Sequence, residues 1–184
     1  MRNFYIFFLI VILCSSCNED VLPKPKAYLS LNYPTVTYKK VVVAKPYSFE
    51  VSSDVEIIEQ PNFWRQIKYP KLKASIRITY RPIQNNLKEL LIESEKLVYE
   101  HTIKAEQIVP KDFVNYDKRV FGSLYQITGN AASQIQFHLT DSTHNFIKGA
   151  LYFYAKPNYD SILPAVAYIK EDVLRLIETL EWNK

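Results

Sequence analysis

The strictest constraint on this chain lies in its last third, where three apolar-rich segments follow one another with only short polar breaks. In "QIQFHLT" Ile135, Phe137 and Leu139 alternate with Gln134, Gln136, His138 and Thr140. A period of two is that of a strand with one buried and one wetter face. The segments 122–129, 133–140 and 146–155 are divided by "NAAS" and "DSTHN". Breaks that short return a strand antiparallel, because a parallel return takes a crossover of roughly a dozen residues or more. A meander is therefore predicted. "FIKGALYFYA" is apolar on both faces except at Lys148, which marks it as the most central strand.

The same alternation occurs upstream. Tyr47, Phe49 and Val51 share a face in "YSFEVSS", as do Ile76, Ile78 and Tyr80 in "SIRITYR". Two segments carry helical spacing instead. Leu87, Leu90, Leu91, Leu97 and Val98 fall on one stripe of a helix over roughly 85–100, and Val166, Ile169, Val173, Leu176, Ile177 and Leu180 do so near the C-terminus. Pro164 suits the first turn of that second helix, with Ser161 as its cap. Strands, a helix, three strands and a helix predict an α+β fold, a mainly antiparallel sheet with packed helices. Three glycines against fourteen tyrosines and ten phenylalanines favour strands and leave little backbone to wrap a phosphate.

The N-terminus sets the compartment. Arg2 precedes an unbroken apolar run from Phe4 to Leu13, too short to span a bilayer, which takes about 20 apolar residues. A basic start, a short apolar core and small residues before a cut define a secretory signal. Ser15, Ser16 and Cys17 in that order resemble the lipobox of bacterial lipoproteins, departing from it at Cys14, where Leu, Val or Ile is usual. The resemblance implies a leader of residues 1–16, a lipidated Cys17 and a Pro-containing tether over 17–27 with Pro23 and Pro25. Residues 28–184 then form one globular domain. Cys14 leaves with the leader, so neither a disulfide nor a cysteine metal site is expected.

The candidate chemistry is thin. "DSTH" places Asp141, Ser142 and His144 together, yet triad residues are distant in sequence and no G-x-S-x-G elbow occurs. Asp, Ser, Thr and Asn are also what a tight strand connection uses. "GNAAS" leads from strand to strand and lacks a phosphate-loop pattern. His101, His138 and His144 have no metal-ligand spacing, and pairs such as Glu93/Glu95 and Glu171/Asp172 read as solvated faces. Trp64 in "FWRQIKYP" suits stacking on sugar or peptide, or a place in the core. A net charge of +4 spread along the chain excludes a nucleic-acid footprint, which needs clustered basic residues. No cofactor, metal or small-molecule substrate is predicted.

The strings "EHTIKAEQI", "GSLYQITGNAASQIQFHLTDSTHNFIKGALYF" and "KPNYDSILPAVAYIKEDVLRLIETLEW" resemble the gliding-motility lipoprotein GldD family of Bacteroidetes. The resemblance covers most of the chain beyond the leader and is densest after His101. It implies a lipid-anchored component of the gliding machinery and its associated type IX secretion system, with envelope proteins as partners and no enzymatic activity. It places the protein at the outer membrane, facing the periplasm. Three antiparallel strands, a "PNYDS" loop and a long helix ending in Trp182 also resemble the Mog1/PsbP-like α-β-α sandwich. The expected partner surface comprises Asn130, Asp141, Ser142, His144 and Asn145. The alternatives are an envelope lipid- or peptidoglycan-binding protein or hydrolase, and a transient assembly factor.

Overall fold

The alternating segments become strands and the stripes become helices in the computed structural model, which describes residues 35–41, 46–100, 104–154 and 158–183. The leader, Cys17, the tether and His101 lie outside the described residues. In chain order the elements are β1 (Tyr38–Val41), β2 (Tyr47–Ser52), β3 (Glu56–Glu59), β4 (Arg65–Tyr69), β5 (Ala74–Pro82), α1 (Leu87–Tyr99), β6 (Ala105–Asn115), β7 (Val120–Gly129), β8 (Ile135–Thr140), β9 (Asn145–Phe153), α2 (Tyr159–Thr179) and β10 (Glu181–Trp182). Seven strands form one antiparallel sheet in the order β3-β4-β5-β9-β8-β7-β6, and β1-β2-β10 form a smaller antiparallel one. The fold is α+β. The predicted meander is β7-β8-β9, and β9 is the central strand of the large sheet.

Register divides the large sheet into two faces. Ile76, Phe137, Leu139, Ile147, Gly149 and Leu151 lie on one face by their cross-strand pairing. Against it pack Val166, Ile169, Val173, Leu176 and Ile177 of α2, together with Tyr47, Phe49 and Val51 of β2. Each of these side chains is nearly inaccessible, and burying one contributes about 1.5–3 kcal/mol. Phe137 lies over Gly149 so closely that a Cβ there would stand 2.2 Å from the ring. On the opposite face α1 packs against β8 and β9 through Leu90, Ser94 and Val98, spaced four apart on one stripe. The two helices thus sandwich the sheet, but α1 covers only part of its face.

Four expectations change. The polar face of β8 is not wet, since Gln136, His138 and Thr140 are all buried beneath or beside α1. Asp172 is buried too, because its place on α2 faces the sheet and Tyr69 instead of solvent. The second helix starts at Tyr159, so Pro164 stands five residues inside it and not in its first turn. Its start is set by Asn158, whose carbonyl accepts from the N–H groups of Ser161 and Ile162 and from the Ser161 hydroxyl, and by the Tyr159 N–H donating to Asn130 Oδ1 at 2.9 Å. Trp182 lies beyond the helix in β10, where its indole N–H reaches the Arg119 carbonyl at 2.9 Å. β6 is a strand that the alternation does not announce. Pro110 at its middle normally argues against a strand, but an edge strand has a neighbour on one side only and tolerates it.

Candidate functional site

Beyond the reach of α1, its face of the sheet carries Ile58, Gln66, Lys68, Arg77 and Thr79, all partly or fully exposed. Two cavities adjoin there. One of about 580 Å³ is bounded by Phe63 and Trp64, by the end of β5, by Leu90 and Glu93 of α1, and by Phe146 and Lys148 of β9. The other, about 450 Å³, lies over Gln66, Arg77, Thr79 and Tyr152. Trp64, Thr79 and Lys148 line both, so the two form one groove.

The aromatic rim comes from the turn Pro61–Phe63. Asn62 and Phe63 have φ of 61° and 60°, a left-handed backbone that costs a non-glycine residue about 1–3 kcal/mol. Three contacts hold it. The Tyr47 hydroxyl donates to the Phe63 carbonyl at 2.8 Å, the Phe63 ring meets Tyr80 edge-on at 5.8 Å, and the Trp64 indole N–H donates to the Tyr80 carbonyl at 3.2 Å. Phe63 and Trp64 nevertheless remain 51% and 40% exposed, so large rings are fixed in place yet open to solvent.

The cationic floor comes from β5 and β9. Lys148 projects from the central strand, and burial pushes its pKa down while Glu93 raises it and Arg81 lowers it. Glu93 sits between two cations, 2.7 Å from Arg81 and 3.8 Å from Lys148. Arg77 lays its guanidinium over the Tyr152 ring at 5.4 Å and, among the described residues, has no carboxylate partner. Gln66 donates to the Tyr154 hydroxyl at 2.7 Å, which donates to Ser75 at 2.9 Å, closing one side of the groove. His138, the cross-strand neighbour of Lys148, stacks on Phe146 with centroids 5.8 Å apart, and burial pushes its pKa down. Among the described residues, no group of three His, Cys, Asp or Glu could hold a metal.

The surface expected from sequence divides between the two ends of β8. Asn130 precedes the strand and Asp141 follows it, so the two stand at opposite ends of β8. Asn130 is engaged as the cap of α2. Asp141 organises the β8–β9 turn: its Oδ1 accepts the backbone N–H groups of Thr143, His144 and Asn145 at 2.9, 2.7 and 2.9 Å, and its Oδ2 accepts the Asn145 amide at 2.7 Å. Asn145 Oδ1 accepts the Tyr80 hydroxyl at 2.9 Å, tying that turn to the groove wall. Ser142 and His144 are exposed at its tip, Ser142 with φ of 68°. The groove residues Arg77 and Lys148 were missed as a site, although the lone charge in an otherwise apolar β9 was their visible signal.

The fold and the groove define an α+β architecture with a sheet face that the described residues leave partly uncovered. The family model for the gliding motility lipoprotein GldD matches residues 18–182, and the chain belongs to that family. It is thus a gliding-motility-associated lipoprotein of the cell envelope. No curated protein matches, and no solved structure does, so the resemblance to the Mog1/PsbP sandwich rests on element order alone. Among the described residues, no helix is long and apolar enough to cross a membrane.

Proposed function

We propose that this protein is a non-catalytic docking module of the gliding and type IX secretion machinery, held at the outer membrane by lipid on Cys17 and facing the periplasm. The observation that carries this reading is the groove. In a member of a motility-machinery family, the described residues leave part of a sheet face uncovered, and rings and a cation are fixed there by contacts to neighbouring strands. Exposed aromatic and arginine side chains on a rigid frame are what protein interfaces use as anchors. Glu93, the carboxylate that lines the groove, is held between two cations, which suits binding better than proton transfer. Ser142 and His144 extend the surface from the turn beside it, and Asp141 and Asn145 hold that turn in place.

The lipid anchor draws support from the family, whose members are described as lipoproteins. Two or three acyl chains each add about 0.8 kcal/mol per buried methylene, enough for stable anchoring. Replacing Cys17 with Ala is expected to move the protein from the membrane fraction to the soluble fraction of fractionated cells. Continued retention in the membrane fraction would contradict the anchor.

A further inference from the structure

We infer that the groove receives an acidic, extended segment of a partner protein, with a carboxylate between Arg77 and Lys148 and an apolar side chain between Phe63, Trp64 and Phe146. This rests on the docking reading above and names the chemistry of the partner. Charge is the first argument. Arg77, Arg81 and Lys148 line the groove against Glu93, and Lys68 stands on the same face with Glu56 as its cross-strand neighbour on β3. The molecule also displays the ligand chemistry itself, because the Glu93 carboxylate already bridges Arg81 and Lys148. Arg77 offers the same fork with no carboxylate in it among the described residues, and a guanidinium fork matches a carboxylate bidentately.

Geometry favours a polypeptide over an acidic glycan. The two cavities meet at Trp64, Thr79 and Lys148, with Phe63 and Phe146 lining one and Arg77 the other. An extended peptide places residues i and i+2 on one side about 7 Å apart, so one acidic and one apolar side chain can enter neighbouring subsites. A sugar instead presents a ring of hydroxyls, and Glu93, the carboxylate lining the groove, is already engaged by Arg81 and Lys148. The strained Phe63 backbone serves the same end, since rings already fixed lose little entropy when a ligand packs on them.

The test uses the full lipoprotein in detergent and a fluorescein-labelled peptide of glutamates interspersed with phenylalanines, read by fluorescence anisotropy. A matching peptide with lysines in place of the glutamates is the control. The acidic peptide is expected to bind and the lysine peptide not, with affinity falling as salt is added. Arg77→Glu is expected to weaken binding at least tenfold without moving the thermal unfolding midpoint, as Arg77 is exposed. Trp64→Ala is expected to weaken it as well, and Ala167→Glu, on the exposed side of α2, to leave it unchanged. Equal binding of both peptides, or unchanged affinity in Arg77→Glu, overturns the inference. So does tighter Arg77-dependent binding of an oligogalacturonate than of the peptide. If the peptide fails while tagged protein still co-purifies with an envelope protein, only this inference falls. If the wild-type protein co-purifies with none, the docking reading falls with it.

Discussion

Replacing Asp141 separates a turn that holds the domain together from a surface that only meets partners. Asp141 is 6% exposed, and its carboxylate takes three backbone N–H groups and one side-chain amide of a five-residue turn, so Asp141→Ala strands four donors at once. A hydrogen bond to a charged group is worth about 1.5–3 kcal/mol. The four share one group, and water reaches the turn tip, so a loss of roughly 2–4 kcal/mol is expected in place of their sum. Asp141→Asn keeps an acceptor without the charge and should lose about half as much. Burial pushes the pKa of Asp141 up, but the backbone bonds from Asn145, His144 and Thr143 and the Asn145 amide outweigh it, and the net shift is downward. A folded pKa below the unfolded value gives stability that is complete above the unfolded value of about 3.9 and fades as pH falls through the folded one. Equilibrium urea unfolding, followed by tryptophan fluorescence, should therefore show a gap between wild type and Asp141→Ala at pH 7 that narrows toward pH 2. A variant within about 0.5 kcal/mol of wild type at pH 7, or a gap that does not depend on pH, would refute the reasoning.

Three further outcomes follow from burial. Gly149→Ala sets a methyl group against the Phe137 ring, which has no room to withdraw, and should destabilise by about 1–3 kcal/mol or more in the same unfolding assay, with partial recovery when Phe137→Leu is added. His138 has a buried Nδ1 without a partner among the described residues and a pKa lowered by burial. Its folded form resists protonation, so stability should decline as pH falls below the unfolded value of about 6.5, and His138→Phe should flatten that decline while keeping the stack on Phe146. Asp172 has both oxygens buried and its pKa raised, chiefly by burial, so Asp172→Asn should stabilise the protein at neutral pH and lose that advantage as the medium is acidified; a neutral-pH loss would contradict it.

Much of the fold was legible because its strands obey one rule. β2, β5, β8 and β9 alternate or run apolar throughout, and the turns at Asn130 and Asp141–Asn145 use residues chosen for turns. The centrality of β9 followed from its apolar character alone. β6 was hidden by Pro110, and the burial of His138 depended on where α1 lands, a tertiary fact that no local period encodes. The start of α2 was misplaced because part of its capping comes from Asn130, 29 residues upstream. The groove was half visible: Trp64 and Lys148 stood out singly in the sequence, but only the β5–β9 register sets Thr79 beside Lys148 and Arg77 beside Ala150 on a common face. Asp141 and Asn145 drew notice by their residue types, and the structure gives them hydrogen bonds that build the turn.

The most direct measurement of the docking account is site-specific photo-crosslinking in growing cells, with a photoreactive residue at position 64 of the otherwise intact lipoprotein and a control at exposed Ala167 on α2. The account expects a discrete protein adduct from position 64 that is absent from position 167 and is lost when Arg77→Glu is introduced. The contrary result is no protein adduct at position 64, or the same adducts from both positions whatever residue stands at 77.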